Sequence, residues 1–397
     1  MSNQGMIKGN MEIDSLFLQL IQPYPLPDSM RVEKKDLAAI KSLGLRHGVF
    51  PLIYGRLRQY LKDFPGRNDI EEFLRESENL YLSGIARSVK QEAAGNRVIS
   101  LLARNEIPSL VIKGGQIAND IYQDPNCRVS YDIDILIRRD DALKADRLLA
   151  ASGYIGETGT PLLYCMSRFH HATYHHPEHD FVIEMHWNFG VPYFFLLSSE
   201  EIWRDGIFAD QVRMRLSPEM TVIMLLIHHH SHAFRELRIL TDILWALYRY
   251  QESINWYQLA LKLRETGLVK TSLISLHQIS MLWEDIPDKM SSSRSLEKEI
   301  RRTGCKVSAI LLAYFKMDIQ NKRMNDIYRD KFAARFSLDK RSEMMLSFPR
   351  TIFPVPDAIR GLYRDRRNWT LPLNYMRFIA WRMKDWTGLG RNDKTPV

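Results

Sequence analysis

The sequence predicts an α+β fold, with a small mixed β-sheet between large N- and C-terminal helical regions. Apolar residues recur at helical spacing through most of residues 12–105 and again from residue 218 onward. Between these regions the pattern changes to short apolar runs with period-two alternation, which is typical of strands. Prolines and glycines separate the runs.

Each helical region follows from its apolar spacing. Leu16, Phe17, Leu20 and Ile21 form one helical face, and a long amphipathic stretch runs from residue 78 to 105. Beyond the sheet, the predicted helices are Met220–Tyr250, Trp256–Glu265, Val269–Trp283 and Ser295–Ala313.

The central region predicts a small sheet with short helices. Strands are expected at Ser109–Ile112 and Asp132–Arg138, and the pair Ala172–His176 and Phe181–Trp187 predicts an antiparallel hairpin. Helical turns are expected at Gln116–Tyr122 and a helix at Asp140–Ser152. The chain is therefore divided into residues 1–84 (helical), 85–200 (α/β core), 201–345 (helical) and 346–397 (basic segment).

Composition is that of an ordinary globular protein. Of 397 residues, 45% are hydrophobic and 26% are charged, and only about the first dozen and last ten residues predict disorder. The net charge of +8 fits an anionic partner but is not specific. Three cysteines without paired spacing argue against a disulfide framework or a cysteine zinc site. The same cysteine pattern makes a reducing cytoplasm the expected location. No signal peptide and no membrane-spanning run are recognised.

Two acidic residues dominate the second predicted strand. Residues two apart in a strand point to the same face, so Asp132 and Asp134 project together while Ile133 and Ile135 face the core. Two adjacent carboxylates repel each other, and a divalent cation relieves that repulsion. Mg²⁺ (or Mn²⁺) prefers carboxylate and phosphate oxygens, which predicts a metal site here.

A third carboxylate stands in the middle of the apolar run FVIEMHW. Glu184 and His186 share one face of this predicted strand, and burying an acid there without a partner is costly. Placed beside Asp132 and Asp134, Glu184 would be a third metal ligand or the base that deprotonates an acceptor. For His186, metal ligation, phosphate binding and a hydrogen bond in the core stay open, and the last is favoured.

Cationic and glycine residues precede these acids. Lys113, Gly114 and Gly115 follow the first predicted strand, where glycines let backbone N–H groups approach a phosphate closely. Lys113 and Arg128 would add charge for a triphosphate, although a surface lysine and a loop-bracing arginine explain them equally well. Together with the acids, this pattern predicts metal-assisted phosphoryl or nucleotidyl transfer from a nucleoside triphosphate.

The sequence resembles a known family at this point. VIKGGQIANDIYQDPNCRVSYDIDILI, a following helix with Gly153-Tyr154, and FVIEMHW are similar to a bacterial nucleotidyltransferase-like family often found in capsule and peptide-modification gene clusters. That family belongs to the DNA polymerase beta-like nucleotidyltransferase superfamily. The resemblance covers roughly residues 85–250.

The resemblance implies a nucleotidyltransferase core and site roles. Gly114 and Gly115 match the superfamily's Gly-Gly/Ser motif, Asp132 and Asp134 its paired metal carboxylates, and Glu184 its third acid. Two departures are present: sixteen residues separate Gly115 from Asp132, and glycine stands where serine is common. Both leave the identity of the donor open.

Several histidines carry weaker signals. His228 and His232, four apart on a predicted helix, are followed by Arg238 and Asp242, a pattern similar to one in the family. A buried polar brace is the favoured interpretation, with acceptor binding second and zinc third. For the histidines around the hairpin, a polar face is favoured over phosphate contact; they are His170, His171, His175 and His176.

Three alternative functions remain open. The first is a noncatalytic nucleotide- or peptide-binding protein, which predicts a Glu184 turned away from the aspartates. The second is a peptide-modifying transferase that uses a non-nucleotide donor. The third is an RNA-directed nucleotidyltransferase that binds RNA through the arginines of residues 346–397, and it is disfavoured because no RNA-binding signature is present.

Overall fold

The structure is a computed structural model of the chain. It describes residues 13–26, 30, 32–156, 162–190, 194–208, 214–283, 291–302, 304, 306–320, 327–339, 359 and 371–387. Two compact units divide the chain, and neither is continuous in sequence. The helical unit comprises Met1–Ala93, Lys113–Ser130 and Ser217–Ser337, and the sheet unit comprises Ala94–Ile112, Tyr131–Leu216 and Leu338–Val397.

Helices make up most of the described chain. In the N-terminal half they are α1 (13–21), α2 (Lys34–His47), α3 (Phe50–Asp63), α4 (Asn68–Arg104), α5 (Gly115–Ile117, continued by a π-helical turn Ala118–Tyr122), α6 (Ala142–Ala151), α7 (Leu162–Arg168) and α8 (Ser199–Arg204). In the C-terminal half they are α9 (Pro218–Ser231), α10 (Leu237–Arg249), α11 (Trp256–Glu265), α12 (Val269–Leu282), α13 (Ser291–Arg302), α14 (Ala309–Tyr314), α15 (Ile327–Ala334) and α16 (Leu371–Thr387).

A five-stranded mixed sheet forms the centre of the sheet unit. Its strands are β1 (Ser109–Val111), β2 (Asp132–Ile137), β3 (Ile155–Gly156), β4 (His171–His176) and β5 (His179–His186), in the order β1-β2-β5-β4-β3. Among these described strands, only the β2–β5 pair is parallel. A separate pair, β6 (Ile207–Phe208) and β7 (Met214–Arg215), is antiparallel. The predicted α+β class and the antiparallel hairpin are confirmed.

One face of the sheet is the apolar core of its unit. Alternate residues of β2 and β5 point into it and are almost fully buried, among them Ile133, Ile135, Ile183 and Met185. The end of α4 and one side of α6 cover this face. At Gly95 of α4 an added Cβ would lie 3.3 Å from Ile133 Cγ2, so the helix packs closely on β2. The opposite face is left for the polar side chains of both strands.

The prediction of one helix over Met220–Tyr250 is wrong, because the chain breaks between α9 and α10. Ala233 and Phe234 adopt positive φ values of 52° and 59°, which a helix cannot contain. Phe234 is fully buried against Phe315, and Gln278 donates a hydrogen bond to the Phe234 carbonyl oxygen at 2.9 Å. Tertiary packing thus holds a turn that has no glycine or proline in it.

The predicted helix Ser295–Ala313 is also interrupted. It forms α13 and α14, with Gly304 at φ 79° between them, and this glycine was an available stop signal. The expected disordered ends lie outside the described residues. So does most of the basic segment 346–397, including Arg360, Arg364 and Arg367.

Within the described residues, no helix is long and apolar enough to cross a membrane. Cys127 and Cys165 are thiols in that part of the chain, and Cys305 lies outside it.

Candidate functional site

The parallel pairing of β2 and β5 brings two acids side by side. Asp134 stands directly opposite Glu184 in this register, and Asp132 stands opposite Val182. The side chains of Asp134 and Glu184 therefore project from neighbouring strands on the polar face of the sheet. The sequence predicted two strands with acids on one face, and the strand order makes them neighbours.

His186 joins the two acids. Its Nε2 lies 2.8 Å from Asp134 Oδ1 and 3.2 Å from Glu184 Oε2. Asp134 and His186 are each 1% exposed, whereas the Glu184 side chain is 23% exposed. One ligand atom from each of these three residues lies within 4.8 Å of the others. Two carboxylates and an imidazole at this spacing fit a divalent cation with oxygen and nitrogen ligands.

Glu184 is held as a carboxylate by its neighbours. Burial raises the pKa of its carboxyl, but the hydrogen bond from His186 and the positive charges of His171 and His186 lower it. The charge of Asp134 raises the pKa of Glu184. On balance, the pKa of Glu184 lies below its ordinary value. A carboxylate that is charged at neutral pH suits metal ligation.

Asp132 has a different position from Asp134. It begins β2, is only partly buried, and does not belong to the group of three residues whose ligand atoms lie within 4.8 Å. It shares the polar face with Asp134 by strand alternation. Its predicted role as a ligand stays a prediction.

Two histidines that the sequence interpretation placed on an ordinary polar face come next to this group. His171 stands opposite His186 across β4 and β5, and its Nε2 lies 3.9 Å from Glu184 Oε1. His170 precedes β4, and its ring packs against both. The sequence did not predict this contact, because it depends on the register of the hairpin, which puts His171 opposite His186.

The predicted donor-binding residues Lys113, Gly114 and Gly115 belong to the helical unit. Gly114 has φ 64° and ψ −129°, a conformation that favours glycine, and it precedes the first residue of α5. A Cβ added to Gly115 would meet no atom within 4 Å, so the serine common in the resembling superfamily would fit there. Only the first glycine of the pair is needed for the backbone conformation.

Arg128, also predicted to bind donor phosphates, lies in a buried ion pair. Its Nε donates to Asp242 Oδ2 at 3.0 Å, and the two side chains are 4% and 0% exposed. The Tyr122 hydroxyl donates to Asp242 Oδ1 at 2.8 Å, and burial is the main cause of the raised pKa of Tyr122. This arrangement supports the loop-bracing interpretation of Arg128 and the polar-brace interpretation of Asp242.

The histidine pair of the helical unit lies among cations. His228 is on α9 and His232 follows its last residue, with ring centroids 4.6 Å apart. Burial lowers the pKa of His232 to about 4, Glu236 raises it, and the charges of Lys113, Arg238 and Lys331 lower it further. Arg238 also donates from Nη1 to the Val129 carbonyl oxygen at 2.7 Å. Lys113 thus contributes to a positive environment that suits an anion.

Comparison with known proteins decides the family. The model of a family described as uncharacterised nucleotidyltransferase matches residues 33–284, which is more than half of the chain. The chain belongs to this family. Searches of curated proteins and of solved structures gave no significant match.

Membership in the uncharacterised nucleotidyltransferase family makes the chain a nucleotidyltransferase, an enzyme with a nucleotide substrate. The family match begins at residue 33 and ends at residue 284, so it is wider than the resemblance over residues 85–250 and includes helices of both flanks. The sequence prediction of a nucleotidyltransferase-like family is confirmed at this level.

Proposed function

We propose that this nucleotidyltransferase moves a nucleotidyl group from a nucleoside triphosphate to a hydroxyl or phosphate group of a small molecule or peptide, with Mg²⁺ or Mn²⁺. The observation that carries the proposal is the pairing of Asp134 with Glu184 across the parallel strands β2 and β5. The noncatalytic alternative expects a Glu184 turned away from the aspartates, and the cluster of Asp134, Glu184 and His186 argues against it.

Asp132, Asp134 and Glu184 would hold the metal on the polar face of the sheet. A bound divalent cation would supply charge neutralisation for the phosphates and acidify the attacking hydroxyl. As the alternative to its role as a third ligand, Glu184 would be the base that takes the proton of that hydroxyl. The acceptor oxygen forms a bond to the α-phosphorus, the bond from that phosphorus to the bridging oxygen breaks, and pyrophosphate leaves.

Lys113, Gly114 and Gly115 would bind the donor phosphates. Gly114 has a positive φ just before α5, and the first N–H groups of that helix would face the phosphates. Lys113 adds a positive charge that would attract the phosphates. Arg238 and Lys331, which together with Lys113 lower the pKa of His232, add to this positive charge. Arg128 contributes by holding its loop through Asp242. His228, His232 and Arg238 are proposed to line the acceptor side.

The family resemblance suggests the wider setting. A bacterial cytoplasmic enzyme that modifies a peptide or a small molecule fits it, and a nucleic acid acceptor fits less well. This part of the proposal rests on the resemblance alone.

Product analysis tests the reaction type. The protein is incubated with each nucleoside triphosphate, Mg²⁺ and a mixture of hydroxyl- and phosphate-bearing acceptors, and phosphorus NMR follows the products. Pyrophosphate release that is lost in Glu184→Gln but kept in Asp140→Asn, an exposed acid just after β2, supports nucleotidyl transfer. Release of nucleoside diphosphate, or equal turnover in both variants, contradicts it.

One observation favours a second candidate, the noncatalytic binding protein. His186 lies between Asp134 and Glu184, and as an imidazolium it would balance their charge without a metal. Under this reading, Mn²⁺ would not bind to the wild type but would bind after His186→Gln. Mn²⁺ binding to the wild type, measured by electron paramagnetic resonance, would show that His186 does not take the place of the metal, and pyrophosphate release would rule out the noncatalytic protein.

A further inference from the structure

Three imidazoles meet at the edge of the carboxylate group, on the polar face of the sheet. His171 of β4 stands opposite His186 of β5, and His170 is the residue just before β4. The ring centroids are 4.6 Å apart for His170–His171, 5.0 Å for His171–His186 and 5.4 Å for His170–His186. One nitrogen from each lies within 4.8 Å of the others.

These distances match those of a metal with three histidine ligands. With zinc–nitrogen bonds of about 2.0–2.1 Å and tetrahedral angles, ligand nitrogens lie about 3.3 Å apart and ring centroids about 5.2 Å apart. The observed separation of His170 Nε2 and His171 Nδ1 is 3.3 Å, and the three centroid distances lie on both sides of the expected value.

The chemistry of this cluster differs from that of the neighbouring acids. Imidazole nitrogens suit zinc and other first-row transition metals, while Mg²⁺ prefers oxygen ligands. Histidine ligands at protein metal sites usually hydrogen-bond a carboxylate through the ring nitrogen that does not bind the metal. His186 contacts two carboxylates through Nε2, so Nδ1 is the nitrogen that would bind zinc. Asp134 and Glu184 are those carboxylates here.

Burial also distinguishes the cluster from surface histidines. His186 is 1% exposed, and His170 and His171 are partly buried, whereas His175 on the same strand as His171 is exposed. His171 and His186 stand on paired strands, so the register of β4 and β5 sets the spacing of two of the three residues.

We propose that His170, His171 and His186 form a binding site for a transition-metal ion of the zinc type, next to the oxygen-rich site proposed for Mg²⁺. The polar face of the sheet then carries two ligand sets of different preference that share His186. The proposal is independent of nucleotidyl transfer and stands or falls on metal binding alone.

Titration of the tag-free protein with Zn²⁺ in a calorimeter tests the site, with Co²⁺ as a visible-absorption probe. We expect one Zn²⁺ per chain, and a loss of at least tenfold in affinity for His170→Gln and for His171→Gln. His175→Gln is the matched control, and it should bind as the wild type does. Wild-type affinity in both cluster variants, or an equal loss in the control, would overturn the proposal.

A second measurement needs no variant. X-ray absorption at the zinc edge of the zinc-loaded wild type counts imidazole ligands. Three imidazoles support the histidine cluster, whereas one imidazole with carboxylate oxygens would put the ion at Asp134, Glu184 and His186 instead and overturn it. Thermal unfolding of each variant shows whether a loss of binding reflects a loss of fold.

Discussion

At the scale of single residues, backbone conformation and charge decide what the candidate site can accept. Gly114 and Gly115 are equal in the sequence but differ in the structure, since only Gly114 has a positive φ. Asp242 and Arg128 are buried together, so each depends on the other. Substitutions at Gly114 and at Asp242, each with a matched control, test these two constraints.

Gly114→Ala should destabilise the protein by about 1 to 2 kcal/mol, because an added Cβ disfavours positive φ. Gly115→Ala should change the free energy of unfolding by less than about 0.5 kcal/mol, since its Cβ meets open space. Urea unfolding of both variants measures the difference. Equal effects of the two substitutions would show that φ at Gly114 is not the constraint.

Asp242→Asn should cost about 3 to 5 kcal/mol, because it leaves the Arg128 guanidinium buried without its charge partner. The control is Glu297→Gln, which removes a partly exposed ion pair with Arg301 and should cost less than about 1 kcal/mol. Chemical denaturation measures both. A small change in the free energy of unfolding of Asp242→Asn would show that the buried ion pair of Asp242 with Arg128 does not stabilise the fold.

At the scale of elements, alternation along the strands separates core from chemistry. On β5, Ile183 and Met185 face the core, whereas Glu184 and His186 face the polar side. Ile183→Ala should cost about 2 to 5 kcal/mol, while Val182→Ala, at a half-buried position of the same strand, should cost less than half as much. Equal losses in thermal unfolding experiments would mean that the register is shifted.

Helix α9 predicts a dependence of stability on pH. Burial is the main cause that lowers the pKa of His229 to about 3 and of His230 to about 4, with further lowering of His229 by His232 and His230. The Ala334 carbonyl oxygen opposes this at His230. Between pH 6.5 and about 4 the unfolded chain therefore binds protons that the folded chain does not, and stability falls as pH falls.

At pH 5 each of these two histidines should remove about 2 kcal/mol of stability relative to pH 7. Unfolding free energies at pH 7, 6 and 5 measure the slope. In His229→Gln with His230→Gln the slope should be shallower than in the wild type. An unchanged slope would mean that other groups cause the pH dependence.

Local patterns predicted most of the elements. Strand β2 and its acids followed from alternation, and helix α11 ends where the apolar spacing does. Two features required tertiary information. The chain breaks after α9 without a glycine or proline, and the burial of Phe234 stabilises the break. The second feature is the contact between His171 and His186, which depends on the register of the hairpin. Pairing between strands is a long-range property that periodicity along one strand does not contain.

At the scale of the whole molecule, both units are assembled from separate parts of the chain. In the helical unit, Trp245 Nε1 donates to the Ile21 carbonyl oxygen at 2.8 Å and Trp283 Nε1 to that of Leu18 at 3.0 Å. His47 contacts the Ile319 carbonyl oxygen at 2.8 Å. The helices on either side of the sheet region in sequence therefore share one core.

A fragment of residues 201–345, predicted from sequence as a domain, should for this reason not fold alone. Circular dichroism should show reduced helicity and no cooperative thermal transition, and addition of a fragment of residues 1–200 should restore both. A cooperative transition in the isolated fragment would show that it is an independent domain.

The central claim is a metal-dependent nucleotide site at Asp134 and Glu184. Calorimetry of nucleoside triphosphate binding, with and without Mg²⁺, tests it most directly on the wild type, on Asp132→Asn/Asp134→Asn and on Asp140→Asn. We expect Mg²⁺-dependent binding by the wild type and by Asp140→Asn, and its loss in the double variant. Equal binding without Mg²⁺, or equal binding by the double variant, would contradict the claim.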